Sequence, residues 1–171
     1  MKLEKSQMKE EHLLVKKYLE SHSLIESNIV SFNNFIEHRM QEIIEELNEN
    51  MTNEDIEIKL GKIKVGKPDI FEADGSSHLI MPSEARIRGL TYSAPIQVEI
   101  TIKQGGQIDS HEVEIGRIPI IVKSNICNLN NLSKEELIEE YIDPKDPGGY
   151  FIINGNERVI VMAEDLAENH P

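Results

Sequence analysis

The stretch Ile96-Gln97-Val98-Glu99-Ile100-Thr101-Ile102-Lys103 alternates apolar and polar side chains without a break. A strand turns successive side chains to opposite faces, so this pattern builds a half-buried strand with one dry face. Gly105-Gly106 follows, and glycine adopts the positive φ that a tight hairpin turn needs. His111, Val113 and Ile115 then resume the alternation. The segment predicts an antiparallel β-hairpin, and the rest of the chain is read around it.

Upstream, residues 55–65 also run at period two: Ile56, Ile58 and Leu60, then Ile63 and Val65. The phase slips at Gly61-Lys62, which predicts a β-bulge or a bend between two strands. Before that the period changes. Ile29, Phe32, Phe35, Ile36, Met40, Ile43, Ile44 and Leu47 recur at helical steps opposite a face of Glu37, Arg39, Glu42, Glu45 and Glu46, predicting a long amphipathic helix to about Asn48. Residues 8–20 read as a shorter one. Between the second strand region and the hairpin, Ile70-Phe71 reads as a short strand. Pro82-Ser83-Glu84-Ala85-Arg86 reads as a helix start, with Gly89 as its left-handed cap.

Downstream, Arg117 to Lys123 is a β-branched run interrupted by Pro119, which suits an edge strand or a strand start. Ser133-Lys134-Glu135-Glu136 is a capping box before a short acidic helix. Tyr150 to Ile153, Asn154-Gly155 and Arg158 to Met162 read as a second hairpin with a type I′ turn. The order implies an α+β fold, with N-terminal helices packed on antiparallel strands and hairpins. Residues 1–171 read as a single domain. Residues 1–53 are mainly helical. Residues 54–131 are mainly β, with a short helix near 82–89. Residues 132–171 hold a short helix and a hairpin.

Composition narrows the function classes. Of 171 residues, 18 are Lys or Arg and 31 are Asp or Glu, a formal net charge of −13. The excess sits at the two ends. Residues 1–60 hold 7 basic against 13 acidic side chains, residues 61–131 hold 8 of each, and residues 132–171 hold 3 against 10. That is not the basic stripe of a free-standing nucleic-acid binder. No run approaches the ~20 apolar residues of a membrane helix. The first residues, Met1-Lys2-Leu3-Glu4-Lys5, lack the apolar core of a secretory signal, and Cys127 is the single cysteine. A cytoplasmic chain is expected.

Catalytic and metal motifs are missing from the sequence. The six histidines form no HxH, HxxH or HExxH pair. Gly148-Gly149 and Gly105-Gly106 do not stand between strand and helix as phosphate loops do. Glu135, Glu136, Glu139 and Glu140 read as the solvated face of a capped helix. Cys127 reads as a small packing residue. Arg158, directly after the second hairpin turn, is a charge facing water or an arginine presented to a partner, since its planar fork suits phosphate or carboxylate.

The same hairpin carries a family resemblance. Gly148-Gly149-Tyr150-Phe151-Ile152-Ile153-Asn154-Gly155-Asn156-Glu157-Arg158-Val159 resembles a stretch of the second-largest subunit of multisubunit DNA-directed RNA polymerases. Ile115-Gly116-Arg117-Ile118-Pro119-Ile120 with Lys123-Ser124-Asn125-Ile126-Cys127 is similar to its neighbouring segment. Leu132 to Leu137, Pro82 to Pro95, Gly61 to Pro68 and Ser31 to Ile36 also resemble family motifs, in family order. The archaeal type is the nearest, and within it the N-terminal chain of the subunit that methanogens split in two. The departures are Ala163, where the family usually has Gln, and Gly89, where it usually has Asn; glycine and asparagine both tolerate a left-handed backbone.

The resemblance implies a specific role. The segment would be the first part of the protrusion, an α+β domain on the cleft wall beside DNA and the RNA–DNA hybrid, with the chain finishing the domain beyond this sequence. It would be a non-catalytic structural part of an RNA-synthesising nucleotidyltransferase, with no cofactor of its own; the family's magnesium and zinc sites lie elsewhere. Its partners would be the rest of the second-largest subunit, the largest subunit and other polymerase subunits, with DNA and hybrid in the assembled enzyme and no membrane. Asn154, Arg158 and Lys123 are the nucleic-acid-proximal candidates. Arg158 would either contact a phosphate or pair with a carboxylate and brace the hairpin. The alternative from composition is a free-standing acidic protein-interaction module; a small hydrolase is the weakest reading.

Overall fold

The computed structural model describes residues 12–18, 23–48 and 57–161. Residues 12–18 are helical and exposed; the flanking parts of the helix expected over 8–20 lie outside the described residues, as do Ile56 and Met162. The strands are β1 (Glu57–Val65), β2 (Asp69–Phe71), β3 (Ser77–Leu79), β4 (Ser93–Gln104), β5 (Gln107–Pro119), β6 (Phe151–Ile153) and β7 (Asn156–Arg158). The helices are α1 (Glu26–Asn34), α2 (Met40–Asn48), α3 (Pro82–Ile87) and α4 (Lys134–Glu139). All strand pairings are antiparallel, in one three-stranded sheet and two ribbons, so the expected α+β class holds.

The three-stranded sheet has the order β1-β4-β5. Gln104 faces Gln107 across Gly105 and Gly106, whose φ values of 57° and 86° are both left-handed, as a type I′ turn requires. Val98 lies between Ile63 and Val113, and Ile100 pairs with Leu60, which makes one face apolar. The other face sets Glu99 directly opposite Glu112, and the Lys64 ammonium donates to Glu112 at 2.8 Å. The Glu112 carboxylate, with Glu99 nearby, holds the Lys64 pKa above its ordinary value.

The phase slip at Gly61-Lys62 is a bulge within one continuous strand, since the register shifts between Leu60 and Ile63. At that irregularity β1 turns backbone groups away from β4, and α2 supplies their partners. The Leu60 N–H donates to Asn48 Oδ1 at 2.7 Å, and Asn48 Nδ2 donates back to the Leu60 carbonyl at 2.6 Å. Gln41 does the same for Ile63 N–H at 3.0 Å and the Gly61 carbonyl at 3.4 Å. Two side-chain amides thus stand where a further strand would pair.

The long helix is continuous from α1 to α2 but contains a π-helical turn, Phe35–Arg39. The inward side chains explain it. Phe32, Met40 and Ile44 are buried, and Ile36 between them is half-buried, at repeated steps of four. Four residues of ideal α-helix overshoot a full circle by about 40°, so the row would drift off the core. A wider π turn winds less per residue and returns the row to the same face.

The main core lies beyond the sheet. Ile80, Ala85, Tyr92, Ala94, Ile120, Val122, Cys127 and Ile152 are buried together. Cys127 is a packing residue, with its sulfur 3.4 Å from the Tyr92 hydroxyl. Burial, then the neighbouring thiol, pushes the Tyr92 hydroxyl pKa far up.

Three expectations change. The β-branched run does not continue as a strand beyond Pro119, although β5 is an edge strand as the proline implied. Ile120 N–H turns to the Tyr92 carbonyl and Val122 N–H to the Tyr150 carbonyl, and successive tight turns follow to Leu132. Asparagines make that buried path tolerable: Asn128 Nδ2 donates to the Pro68 and Ile80 carbonyls, each at 2.8 Å. Second, the short strand at Ile70-Phe71 has a partner, β3, which the sequence reading does not include. Third, the return strand of the last hairpin is Asn156–Arg158. A two-residue turn sets Asn156 opposite Ile153, so Val159 already lies past the end of β6.

Candidate interface around the β6–β7 hairpin

The hairpin that carries two of the three candidate residues has only three residues per strand. Its turn is as read: Asn154 has φ 50° and Gly155 φ 75°, the type I′ geometry. A ribbon this short does not stand alone in water. Here the segment after α3 holds it. Gly155 N–H donates to the Leu90 carbonyl at 2.9 Å, and Tyr92 N–H donates to the Ile152 carbonyl at 3.0 Å. A Cβ on Gly155 would lie 2.8 Å from Gly89 Cα, so the two backbones touch. Gly89, at φ 67°, closes α3 as expected, with Leu90 N–H bonded to the Ala85 carbonyl.

Arg86 of α3 locks the other side. Its guanidinium donates to the Tyr150 hydroxyl, lies 5.5 Å from the centre of the Tyr150 ring, and has Nε 3.0 Å from Glu157 Oε1. Asp146 accepts from the Tyr150 hydroxyl and lies 3.7 Å from Arg86 Nη2. Burial first, and Asp146 second, raises the Tyr150 hydroxyl pKa well above its ordinary value. No local pattern marks Arg86 for this role, because its partner Tyr150 is 64 residues away.

The three candidates have different fates. Asn154 is engaged at the turn: its N–H donates to Thr91 Oγ1 at 3.1 Å, and the Thr91 hydroxyl donates to Asn154 Oδ1 at 3.2 Å. Lys123 is half-buried in a left-handed conformation, φ 68°, and its ammonium donates to the Asp146 carbonyl. Arg158 is exposed at the open end of the ribbon, opposite Phe151. Among the described residues no carboxylate pairs with it. Asn154 and Arg158 thus occupy opposite ends of one ribbon, while Lys123 belongs to the loop that braces it.

Beside Arg158 runs an open groove of about 500 Å³. Phe32 and Phe35 form one wall, Ile118 and Pro119 the second, and Phe151, Val159 and Ile160 the third. The Phe32 and Phe151 rings meet edge to face, with centroids 5.7 Å apart. Among the described residues, Arg158 is the single charged residue of the lining.

One further group has the donors of a metal site. Ligand atoms of Glu72, His78 and Glu84 lie within 4.8 Å of one another. Arg88 Nη1 already sits 2.7 Å from both carboxylates, so an arginine supplies the positive charge between them. It also holds the Glu72 and Glu84 pKa values below the usual carboxylate range. No helix among the described residues is long and apolar enough to cross a membrane.

Residues 23–169 match the family model described as RNA polymerase beta subunit. The chain is 49% identical over 163 residues to the DNA-directed RNA polymerase subunit Rpo2N of Methanocaldococcus jannaschii, covering 91% of this chain and 33% of that one. It is 44% identical over 174 residues to Rpo2N of Methanothermobacter thermautotrophicus strain Delta H, covering 96% and 32%. Against the subunit Rpo2 of Saccharolobus solfataricus it is 43% identical over 158 residues, covering 91% of this chain and 14% of that one. The chain thus spans about a third of the length of the Rpo2N relatives.

Proposed function

Because the chain belongs to the RNA polymerase beta subunit family, in its archaeal form, we propose that it is a non-catalytic structural segment of a DNA-directed RNA polymerase. On this reading it works in the cytoplasm as one protrusion-like unit. It forms part of the cleft wall beside DNA and the RNA–DNA hybrid, and it assembles with the largest subunit and the remainder of the second-largest one. The observation that carries the reading is the identity to Rpo2N across nine-tenths of the chain, with the hairpin motif intact.

The geometry supports a scaffold. The ionisable groups with displaced pKa values are engaged in bracing contacts: Arg88 with Glu72 and Glu84, Tyr150 with Asp146, and Lys64 with Glu112. A wall segment needs a stiff surface feature, and the β6–β7 ribbon is short and bonded at Ile152, Asn154 and Gly155 to the α3–β4 connection. Asn154, Arg158 and Lys123 stand near nucleic acid in this arrangement, but they do not form a cationic track. Two have their polar heads committed within the fold, and the chain's charge of −13 leaves other subunits to supply the positive field.

The test is recovery of the tagged chain from its host. Co-purification of the largest polymerase subunit at stoichiometric yield is expected. Elution of the chain free of every polymerase subunit would overturn the reading in favour of a free-standing acidic module.

A further inference from the structure

We propose that Asn154-Gly155 is a site of spontaneous chemical modification, deamidation of Asn154 through an imide ring, and that docking of the hairpin on the segment after α3 is the gate that holds it shut. Asparagine is a heat-labile residue, because the backbone nitrogen that follows it can attack its side-chain carbonyl carbon. Glycine leaves that nitrogen least shielded, having no Cβ. The Asn-Gly pair occurs once in the sequence, at the turn of this hairpin. Asn154 is exposed, so water reaches the carboxamide and any ring formed there.

The step balances as follows. The Gly155 nitrogen bonds to Asn154 Cγ, and its proton passes through water to the leaving NH2, which departs as ammonia. Water then opens the ring. Opening at Cγ leaves an ordinary aspartate. Opening at the backbone carbon leaves isoaspartate, in which the chain runs through the former side chain and gains one methylene.

Contacts of the docked turn oppose each requirement. The attacking nitrogen must lose its proton, but Gly155 N–H is half-buried and donates to the Leu90 carbonyl at 2.9 Å, which would face an amide anion without it. The carboxamide must swing onto that nitrogen, but the Thr91 hydroxyl holds Asn154 Oδ1 at 3.2 Å. The backbone must rotate, but Asn154 N–H is bonded to Thr91 Oγ1 at 3.1 Å, and Gly155 is packed against Gly89. Cyclisation therefore requires the turn to leave its platform, and its rate follows the local opening of the hairpin. The single Asp-Gly pair of the sequence, Asp74-Gly75, closes the same ring only from a protonated carboxyl, with water leaving. The Ser76 hydroxyl and N–H hold the Asp74 pKa below its ordinary value, so that carboxyl is ionised and lacks its leaving group.

The modification is one-way. Isoaspartate adds a backbone atom to a two-residue turn whose register sets Ile153 against Asn156, so the altered turn no longer returns Gly155 N–H to Leu90. This inference is independent of the transcription reading, since it rests on bonds within the hairpin and its platform.

The test uses the tagged chain as recovered from its host, incubated in mildly alkaline buffer with and without guanidinium chloride. Mass spectrometry of the peptide spanning Asn154 reads the conversion of carboxamide to carboxyl, and enzymatic methylation of isoaspartyl carboxylates reads the product. Conversion in native buffer is expected to be about tenfold slower than in denaturant, or slower still. Thr91→Val, which removes the hydroxyl at nearly constant shape, should speed the native conversion about threefold to tenfold and leave the denatured rate unchanged. Arg86→Met, which loosens the other side of the hairpin, serves the same purpose should Thr91→Val disturb the fold. Hydrogen exchange should quicken over residues 151–158 in the aged chain. Equal rates in the two buffers, or faster conversion in the native one, would overturn the gate. So would a native rate that neither substitution moves. An Asn154 that stays intact even in denaturant would overturn the site itself, and unchanged exchange in fully converted chain would overturn the loss of docking.

Discussion

Two hairpins of this chain turn on the same device, two consecutive residues of positive φ, and they are stabilised by opposite means. The β4–β5 hairpin has strands of 12 and 13 residues, long enough for its own ladder and cross-strand pairs to hold it, and Gly105-Gly106 has nothing within 4 Å of where a Cβ would stand. The β6–β7 hairpin has three residues per strand, too few to be stable alone, and it is fastened at Ile152, Asn154, Gly155 and Glu157 to α3 and the segment following it. The lesson is that a turn motif fixes the backbone path while length and surroundings decide what the turn is worth. A long hairpin tolerates damage at its tip. A docked one does not.

The sharpest way to break the comparison is the same substitution at the second turn position of each. Gly155→Ala meets Gly89 Cα and the Arg86 carbonyl at 2.8 and 3.0 Å in addition to its left-handed backbone. It should cost about 3 kcal/mol, combining conformational and overpacking penalties. Gly106→Ala carries the backbone penalty alone and should cost about 1 kcal/mol. Chemical denaturation of the two variants gives the ratio, and equal costs would show that docking adds nothing.

A smaller effect is expected from Arg86→Met. The guanidinium touches Tyr150, Asp146 and Glu157, and its loss leaves the half-buried Tyr150 hydroxyl short of a donor and the two carboxylates without their cation, worth about 1–2 kcal/mol. Hydrogen exchange should quicken in residues 151–158 and stay unchanged in β4 and β5. Uniform quickening would mean that the arginine supports the whole core rather than the second hairpin.

The smallest effect is acidic. Arg88 depresses the Glu72 and Glu84 pKa values and so ties α3, the platform of the second hairpin, to the β2–β3 ribbon. A folded-state pKa below the unfolded one gives stability that is present above the ordinary carboxylate pKa of about 4.3 and lost as pH falls through the depressed value. Both carboxylates are near the surface, so the loss is small. The melting-temperature gap between wild type and Arg88→Gln should narrow between pH 6 and pH 3. A constant gap would show that the arginine acts through packing alone.

The contrast between the hairpins also explains what was legible in the sequence. Alternation over Ile96 to Ile115, the positive-φ pair Asn154-Gly155, the capping box at Ser133 and Glu136 and the cap at Gly89 are local, and local physics writes them into neighbouring residues. The π turn was hidden because steps of three and four read as one helix until it is known which residues are buried. The buried path from Ile120 to Leu129 was hidden because its asparagines look like solvent-facing turn residues, whereas Asn128 spends its amide on the Pro68 and Ile80 carbonyls. Arg86 and the groove were hidden because each brings together segments far apart in sequence. Arg158 drew notice for its charge, and the structure gives it a setting, the rim of an apolar groove, that no spacing rule encodes.

The amides of Gln41 and Asn48 have a consequence for association. A three-stranded sheet with two open edges is a bifunctional monomer: each copy could add a strand to the next, and the product would be a fibre. Here the middle of the β1 edge is already occupied, at Leu60, Gly61 and Ile63, by side chains of the same molecule. Within this sheet, among the described residues, β5 is left with the free backbone rim. In the language of polymer chemistry the sheet is monofunctional. Strand-to-strand contact between two copies through β5 consumes both reactive edges, and growth ends at a pair.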